Sequence, residues 1–378
     1  MSTSDPGLDA ADGEAPTAAP TSGTPWRDIV QWALVGTLLL LVLVMVDVSR
    51  HGGGNPVSLI QPGTDGPSAA LIAQDFPDIE APAGVGLDGQ QYYAIARHPA
   101  DPEAAAEHLD WPRYRLQRPL LPWTARLLHP GGGGGVGLVW ALFAAGLIGV
   151  VIGALATGAL STWWGGPPWL AALFPLLPGA WWSLRVTVSD AMALALAMAA
   201  LALAARHRHA PAVAVAVLAV LAKEPTVLVF AGWALHRRTR RDALLLVVPG
   251  LVAAAWMAFL AGQLPPDPDR AQDLGLPFVG LVQAFTDVWS EGRELVGMAA
   301  TLGGLALGGT ALALRRLRHP LGWALAVQLA FMLVMGVNPT SVNFGATRTA
   351  MPAMLLALVA LATPRAAEAQ QAADGIAS

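Results

Sequence analysis

Runs of about twenty apolar residues recur along this chain, and that is the length a helix needs to cross the hydrocarbon of a bilayer. Inside hydrocarbon every backbone polar group must find its partner within the protein, so runs of this kind fold as helices. With 54% hydrophobic and 13% charged residues and a mean hydropathy of +0.51, the chain reads as an all-α polytopic membrane helix bundle. Full spans, eight in number, are expected at 29–46, 136–160, 169–184, 186–205, 243–261, 296–314, 321–337 and 350–363. Pro175 and Pro178 fall in the third, and proline removes a donor and crowds the preceding turn, so that span is expected to be broken or tilted.

One apolar stretch does not fit this pattern. Between Arg206-His207-Arg208-His209 and the basic run 236–241 lie two apolar pieces, 211–222 and 226–235, separated by Lys223-Glu224-Pro225. Basic residues in short loops favour the cytoplasmic side. Placing both clusters there makes the pieces half-length helices, rising about 18 Å each at 1.5 Å per residue. They then form a re-entrant hairpin with Lys223 and Glu224 at its tip. The alternative is one span with a basic cluster outside. Alternating the remaining loops puts both termini in the cytoplasm and 48–135, 263–295 and 338–349 on the outer face of the cytoplasmic membrane. Residues 1–27, rich in Pro, Ser, Thr and Ala, read as a disordered cytoplasmic tail, 28–363 as the membrane domain, and 364–378 as a second disordered tail. The first span reads as a retained helix, because no clear small-residue cleavage site follows it.

Chemistry is expected in the first outer loop, 48–135. It holds Asp75, Asp78, Glu80, Asp88, Asp101, Glu103, Glu107 and Asp110, is too charged for hydrocarbon, and carries helical stretches at 90–97 and 119–128. Asp88 is the first candidate: a carboxylate at the membrane surface can take the proton from an attacking hydroxyl. The plainer alternative is that Asp88-Gly89 makes a turn and the aspartate caps the following helix. Asp47, Asp78 and Glu80 are weaker candidates. Arg113, Arg115 and Arg118, with Arg97, suit a phosphate, which guanidinium grips as a fork; the alternative is interfacial anchoring beside Trp111, Tyr114 and Trp123. Lys223 and Glu224 are intramembrane charges, functional by default, with Lys223 suited to a lipid phosphate and Glu224 to holding Lys223 or Arg185. A self-satisfied Lys223–Glu224 pair is the alternative. Arg348, with Asn338 and Asn343, falls on the same outer face as Asp88.

Several classes are excluded or weakened. The absence of cysteine removes disulfides and thiolate chemistry, and no basic patch interleaved with aromatics supports nucleic acid as a partner. A P-loop, a zincin histidine pair, a nucleophile elbow and a dinucleotide fingerprint are all missing. No inverted repeat with paired broken helices is evident, which weakens a transporter reading.

The segment Asp88-Gly89-Gln90-Gln91-Tyr92-Tyr93, followed by Arg113-Tyr114-Arg115-Leu116-Gln117-Arg118-Pro119 and by Lys223-Glu224, resembles integral membrane glycosyltransferases of the GT-C type, in an actinobacterial branch. It is similar at greater distance to polyprenol-phosphate-sugar mannosyltransferases. The resemblance covers about residues 28–363. It implies an inverting enzyme that moves a sugar from a polyprenyl-phosphate donor to a cell-envelope glycan or lipid acceptor, with Asp88 as general base. Substrate binding would fall to Gln90, Gln91, Tyr92, Arg97, Arg113, Arg115, Arg118, Lys223, Glu224 and Arg348. No cofactor is specified, and a divalent metal is left open. Asp88 stands some forty residues past the first span with no paired acidic motif, which departs from the family's pattern. A transporter, flippase or assembly factor for lipid-linked sugars is the non-enzymatic alternative.

Overall fold

A computed structural model describes residues 25–267 and 273–364. The expected tails therefore lie largely outside the described residues. Every named element among those residues is helical, with one isolated bridge between Leu274 and Met335. In chain order the α-helices are α1 (Trp26–His51), α2 (Ala69–Asp75), α3 (Asp88–Arg97), α4 (Pro102–Ala106), α5 (Pro112–Leu116), α6 (Leu120–Leu128) and α7 (Val136–Trp163). Then come α8 (Leu170–Leu176), α9 (Pro178–Arg185), α10 (Asp190–Ala205), α11 (His209–Ala222), α12 (Val227–Arg237) and α13 (Arg240–Gln263). The last are α14 (Val279–Asp287), α15 (Leu295–Arg315), α16 (Gly322–Leu333), α17 (Val337–Ser341) and α18 (Asn343–Ala362).

Five of these, α1, α7, α13, α15 and α18, are long and apolar enough to cross a membrane. The expectation of eight full spans is corrected accordingly. The segment 169–184 is two short helices, α8 and α9, that meet at the extended residue Leu177 with Pro178 opening the second. Pro178 also biases the preceding Leu177 away from helix. The other two, α10 and α16, reach only about 24 Å and about 18 Å at 1.5 Å per residue, short of the roughly 30 Å hydrocarbon thickness.

The centre of the bundle is α10. Its Ala, Leu and Met residues are buried nearly all round, as expected of a helix apolar on every face. It packs against α7 and α11, and the close approach to α7 depends on Gly149, where a Cβ would sit 2.9 Å from Met192 Cα. Small residues at such contacts let backbones approach. Gly149→Val is therefore expected to destabilise the protein by about 1–3 kcal/mol through overpacking. Gly250→Val, where nothing lies within 4 Å, is expected to change little. Thermal unfolding of the two variants in detergent checks this, and equal midpoints would refute it.

The chain reverses at Lys223. Arg206, before α11, donates to the Ala159 carbonyl at 2.7 Å near the end of α7. Beyond α12's midpoint Trp233 stacks on Trp164, just past the same end of α7, with centroids 6.5 Å apart. Both basic clusters therefore flank one end of the bundle, while α11 and α12 each lean on α13.

The segment between α1 and α7 folds as a cap on the opposite end, tied down by side chains. Asn55 and Asp101 cap their helices by accepting from Val57 N and Ala104 N at 2.9 and 3.0 Å. Gln90 accepts from Gly63 N at 3.2 Å and donates to Val85 O at 2.6 Å, which pins the loop before α3. The fully buried Tyr93 donates to Asp75 at 2.6 Å and accepts from Gly135 N, joining α2, α3 and the start of α7.

Candidate functional site

Beneath this cap lies a cavity of about 1020 Å³, as large as the pockets that take drug-sized ligands. Its polar end holds Asp88, Asp110, Arg115, Arg118, Asp190, Lys223, Glu224 and Arg348; its other walls include Leu194, Val229, Phe331, Met335, Met351 and Pro352. The two parts come from different layers. The cap supplies acids and guanidinium groups, while α10, the α11–α12 reversal, α16 and α18 supply apolar wall and further charges.

Asp88 is the first residue of α3. The residue in the capping position is Leu87, and the Asp88 side chain caps no backbone group, so the helix-cap alternative does not describe it. Its carboxylate instead faces two cations: Oδ1 accepts from Arg115 at 2.9 Å and Oδ2 lies 3.4 Å from Arg348. Close packing explains the adjoining Gly89, because a Cβ there would come within 2.8 Å of the Ile60 carbonyl oxygen and closer still to that of Val186. Burial raises the pKa of Asp88, and nearby Asp190 adds to that. Arg115, then Arg348 and Arg118, outweigh both and hold the carboxyl below the ordinary aspartate range.

Around Asp88 the ion pairs run as a chain from Asp110 through Arg115, Asp88, Arg348 and Asp190 to Lys223, and Arg118 with Glu224 forms a separate pair beside it. Arg115 holds Asp110 as a fork, Nε and Nη2 both at 2.8 Å. Asp110 is in turn bonded by Gln91 at 2.9 Å, and Arg115 with Gln91 keeps its pKa low against the opposing effect of burial. Arg348 sits flat over Phe344, 3.4 Å from the ring centroid, and reaches Asp190 at 3.0 Å. Lys223 pairs with Asp190 from the other side. Arg118 lies 4.2 Å over Tyr114 and forks onto Glu224, with both oxygens at 2.8 Å, and Gln117 donates to the same carboxylate. In these pairs four acids face four cations, and Asp65 and Asp273 line the cavity as well. Every cation at the polar end is already engaged by a carboxylate.

The structure brings together Asp88, Gln91, Arg115, Arg118, Lys223, Glu224 and Arg348, and Asn338 lines the cavity as well. Other candidates sit elsewhere. Arg113 is corrected to an anchor of the cap on α13: its Nε donates to Leu264 O at 3.0 Å and its backbone N to Asp267. Arg97 pairs with Asp75 at 3.2 Å beside the Gly-rich turn. Gln90 is taken up by its loop contacts. Tyr92 is buried and bonded to Ser189 at 2.7 Å, and burial pushes its phenol up to about 12. Lys223 and Glu224 do not satisfy each other, and Glu224 does not hold Arg185, which bonds to Asp47 and Ser58 O. Asn343 accepts from Gly297 N. Among the weaker acids, Asp47 is committed to Arg185 and His51 in a second crevice of about 550 Å³, and Asp78 and Glu80 are exposed.

Two acids were not singled out from the sequence, Asp190 and Asp110. Asp190 had a usable signal, since it opens an otherwise apolar helix, where an ionisable group is rarely without a role. Asp110 had none, being one of several acids in a polar segment. The arginines could have been sorted by spacing: positions 115 and 118 are three apart and share a helical face, whereas 113 and 115 do not. Among the described residues no three His, Asp or Glu side chains converge as metal ligands.

Fold and site together define an all-helical bundle of membrane-spanning character whose cap and helix ends enclose an ion-paired cavity. No family model, curated protein or solved structure matches the chain.

Proposed function

We propose that the protein is a membrane glycosyltransferase of GT-C-like type, moving a sugar from a polyprenyl-phosphate donor to an acceptor at the outer face of the cytoplasmic membrane. The observation that carries this reading is Asp88 held between Arg115 and Arg348, in a cavity that is ionic at one end and apolar along its walls. A donor with one phosphate and an isoprenoid chain presents the same two chemistries. In this topology the cap faces outward, both basic clusters are cytoplasmic, and α11 with α12 form the re-entrant hairpin whose tip reaches the cavity.

In the structure Arg115 and Arg348 neutralise Asp88. A donor phosphate competes for those guanidinium groups, and as it takes them the carboxylate loses what depresses its pKa, so the base becomes stronger when the donor is in place. Asp88 then accepts the proton of the acceptor hydroxyl as its oxygen attacks the anomeric carbon. The bond from that carbon to the phosphate oxygen breaks, and polyprenyl phosphate leaves with an extra negative charge. Arg115, Arg118, Arg348 and Lys223 stabilise that charge as it develops. A single displacement inverts the anomeric centre. The acceptor is a cell-envelope glycan or lipid.

The test is an assay of purified protein in lipid vesicles with labelled polyprenyl-phosphate sugars, donors scanned before acceptors. Donor-dependent labelling of an envelope acceptor is the expected result, and a chain that moves the intact donor across the bilayer without cleaving it would overturn the enzyme reading. That outcome would support a flippase, for which the chain of charges from Asp88 through Arg348 and Asp190 to Lys223 is the relevant feature.

A further inference from the structure

The connection from α13 to α15 falls in the segment 263–295 expected on the outer face, and its described part carries an apolar face. Val282 and Phe285 of α14 are 58% and 63% exposed, and Leu276, just before the helix, is 75% exposed. We propose that α14 and the preceding residues 274–278 lie in the bilayer surface on the cavity side, with Val282 and Phe285 in lipid. The partner is the outer leaflet itself.

Three observations support a lipid occupant over a protein one. First, α14 joins two consecutive span-length helices, and α13 is the least buried of the five, with 17% of its apolar window inside the protein, against 33% for α15. The exposed face of α14 therefore continues a lipid-facing belt. Second, the segment before α14 is zipped to the end of α16. Gly275 N donates to Val334 O at 2.8 Å, Phe278 N to Leu333 O at 2.7 Å, and Gly336 N to Asp273 O at 2.7 Å. Non-helical backbone is tolerated near hydrocarbon only when its polar groups are satisfied by protein. Third, the opposite face of α14 is committed. Gly280 and Ala284 are buried toward α17, and a Cβ on Gly280 would collide with the Met335 carbonyl. A short helix buried on one side, exposing Val279, Val282 and Phe285 on another and carrying Gln283, Thr286 and Asp287 beside them, has the build of an interfacial helix.

This placement has a consequence for the cavity, because Leu274 and Met335, the bridged pair beneath α14, are among its lining residues. The wall on that side is then held by an element seated in the leaflet, next to where a lipid-borne ligand diffuses. The inference rests on the membrane reading and not on the reaction, so its test does not use sugar transfer.

The chain contains no cysteine, so single-site labelling needs no background removal. Full-length Val282→Cys and Phe285→Cys are spin-labelled and reconstituted in phospholipid vesicles, and collision with oxygen is compared with collision with a water-soluble nickel chelate. Leu251→Cys, on the exposed face of α13, is the lipid reference, and Asp78→Cys, exposed on the cap, is the water reference. The expected oxygen-to-nickel ratio at 282 and 285 matches position 251 and exceeds that at 78 several-fold. A ratio equal to that at 78 would place the face in water and overturn the proposal. Labels shielded from both reagents would overturn it too, by showing a second copy or another protein there. Leu276→Cys provides the same reading outside the helix should either helical variant fail to fold.

Discussion

Asp88→Asn is expected to lower sugar transfer by about 10²- to 10⁴-fold, the usual contribution of a positioned general base, while the protein still inserts and folds. The fold should tolerate the change because neither arginine is orphaned: Arg115 keeps its fork onto Asp110, and Arg348 keeps Asp190. The amide also preserves the shape of the carboxyl. Donor affinity supplies the sharper discrimination. In the proposed mechanism the Asp88 carboxylate competes with the donor phosphate for Arg115 and Arg348, so removing its charge should leave donor binding unchanged or tighter. Measuring transfer and donor binding on the same preparation separates the outcomes. Retained transfer would remove Asp88 as the base, and lost donor binding would make it a binding group instead.

Arg118→Gln is expected to produce the largest loss of stability, about 3 kcal/mol, the lower end of what breaking a buried ion pair costs. The lower end applies because the Glu224 side chain remains 23% exposed. Arg118 is the forked partner of Glu224, so the substitution leaves a largely enclosed carboxylate with Gln117 alone. The pair also joins the cap to the chain reversal, so its loss should loosen the outer segment before the bundle. Arg118→Met combined with Glu224→Leu should recover most of the loss, because an apolar pair of similar volume avoids the desolvation penalty. A double-mutant cycle from unfolding in detergent measures the coupling, and additive single and double effects would show that the two charges do not support one another.

The arginines illustrate how far the site could be read from residue order alone. Charge density marked 113–118 as functional, and two of its three guanidinium groups do face the cavity. Arg113 does not, because the short α5 turns it toward the end of α13, a neighbour 151 residues away. Lys223 and Glu224 were likewise legible as charges at a break in an apolar stretch. Their partners were not, since Asp190 and Arg118 come from other elements, 33 and 106 residues distant. The alternative of a self-satisfied Lys223–Glu224 pair assumes that neighbours in sequence neutralise each other. At the tip of a reversal the two side chains instead point to different walls.

Residue order is enough to set the class of structure. Apolar runs of membrane length oblige the backbone to satisfy itself as helix, and Pro178 and Pro225 fall at the breaks between helices. Those are local rules, legible one segment at a time. Packing set which of the runs form helices long enough to cross a membrane, and which acid faces which base. An ion pair depends on the distance between side chains carried by separate helices, and that distance is set by how the helices pack, with Gly149 against Met192 and Gly89 against Ile60 and Val186 among the contacts that set it.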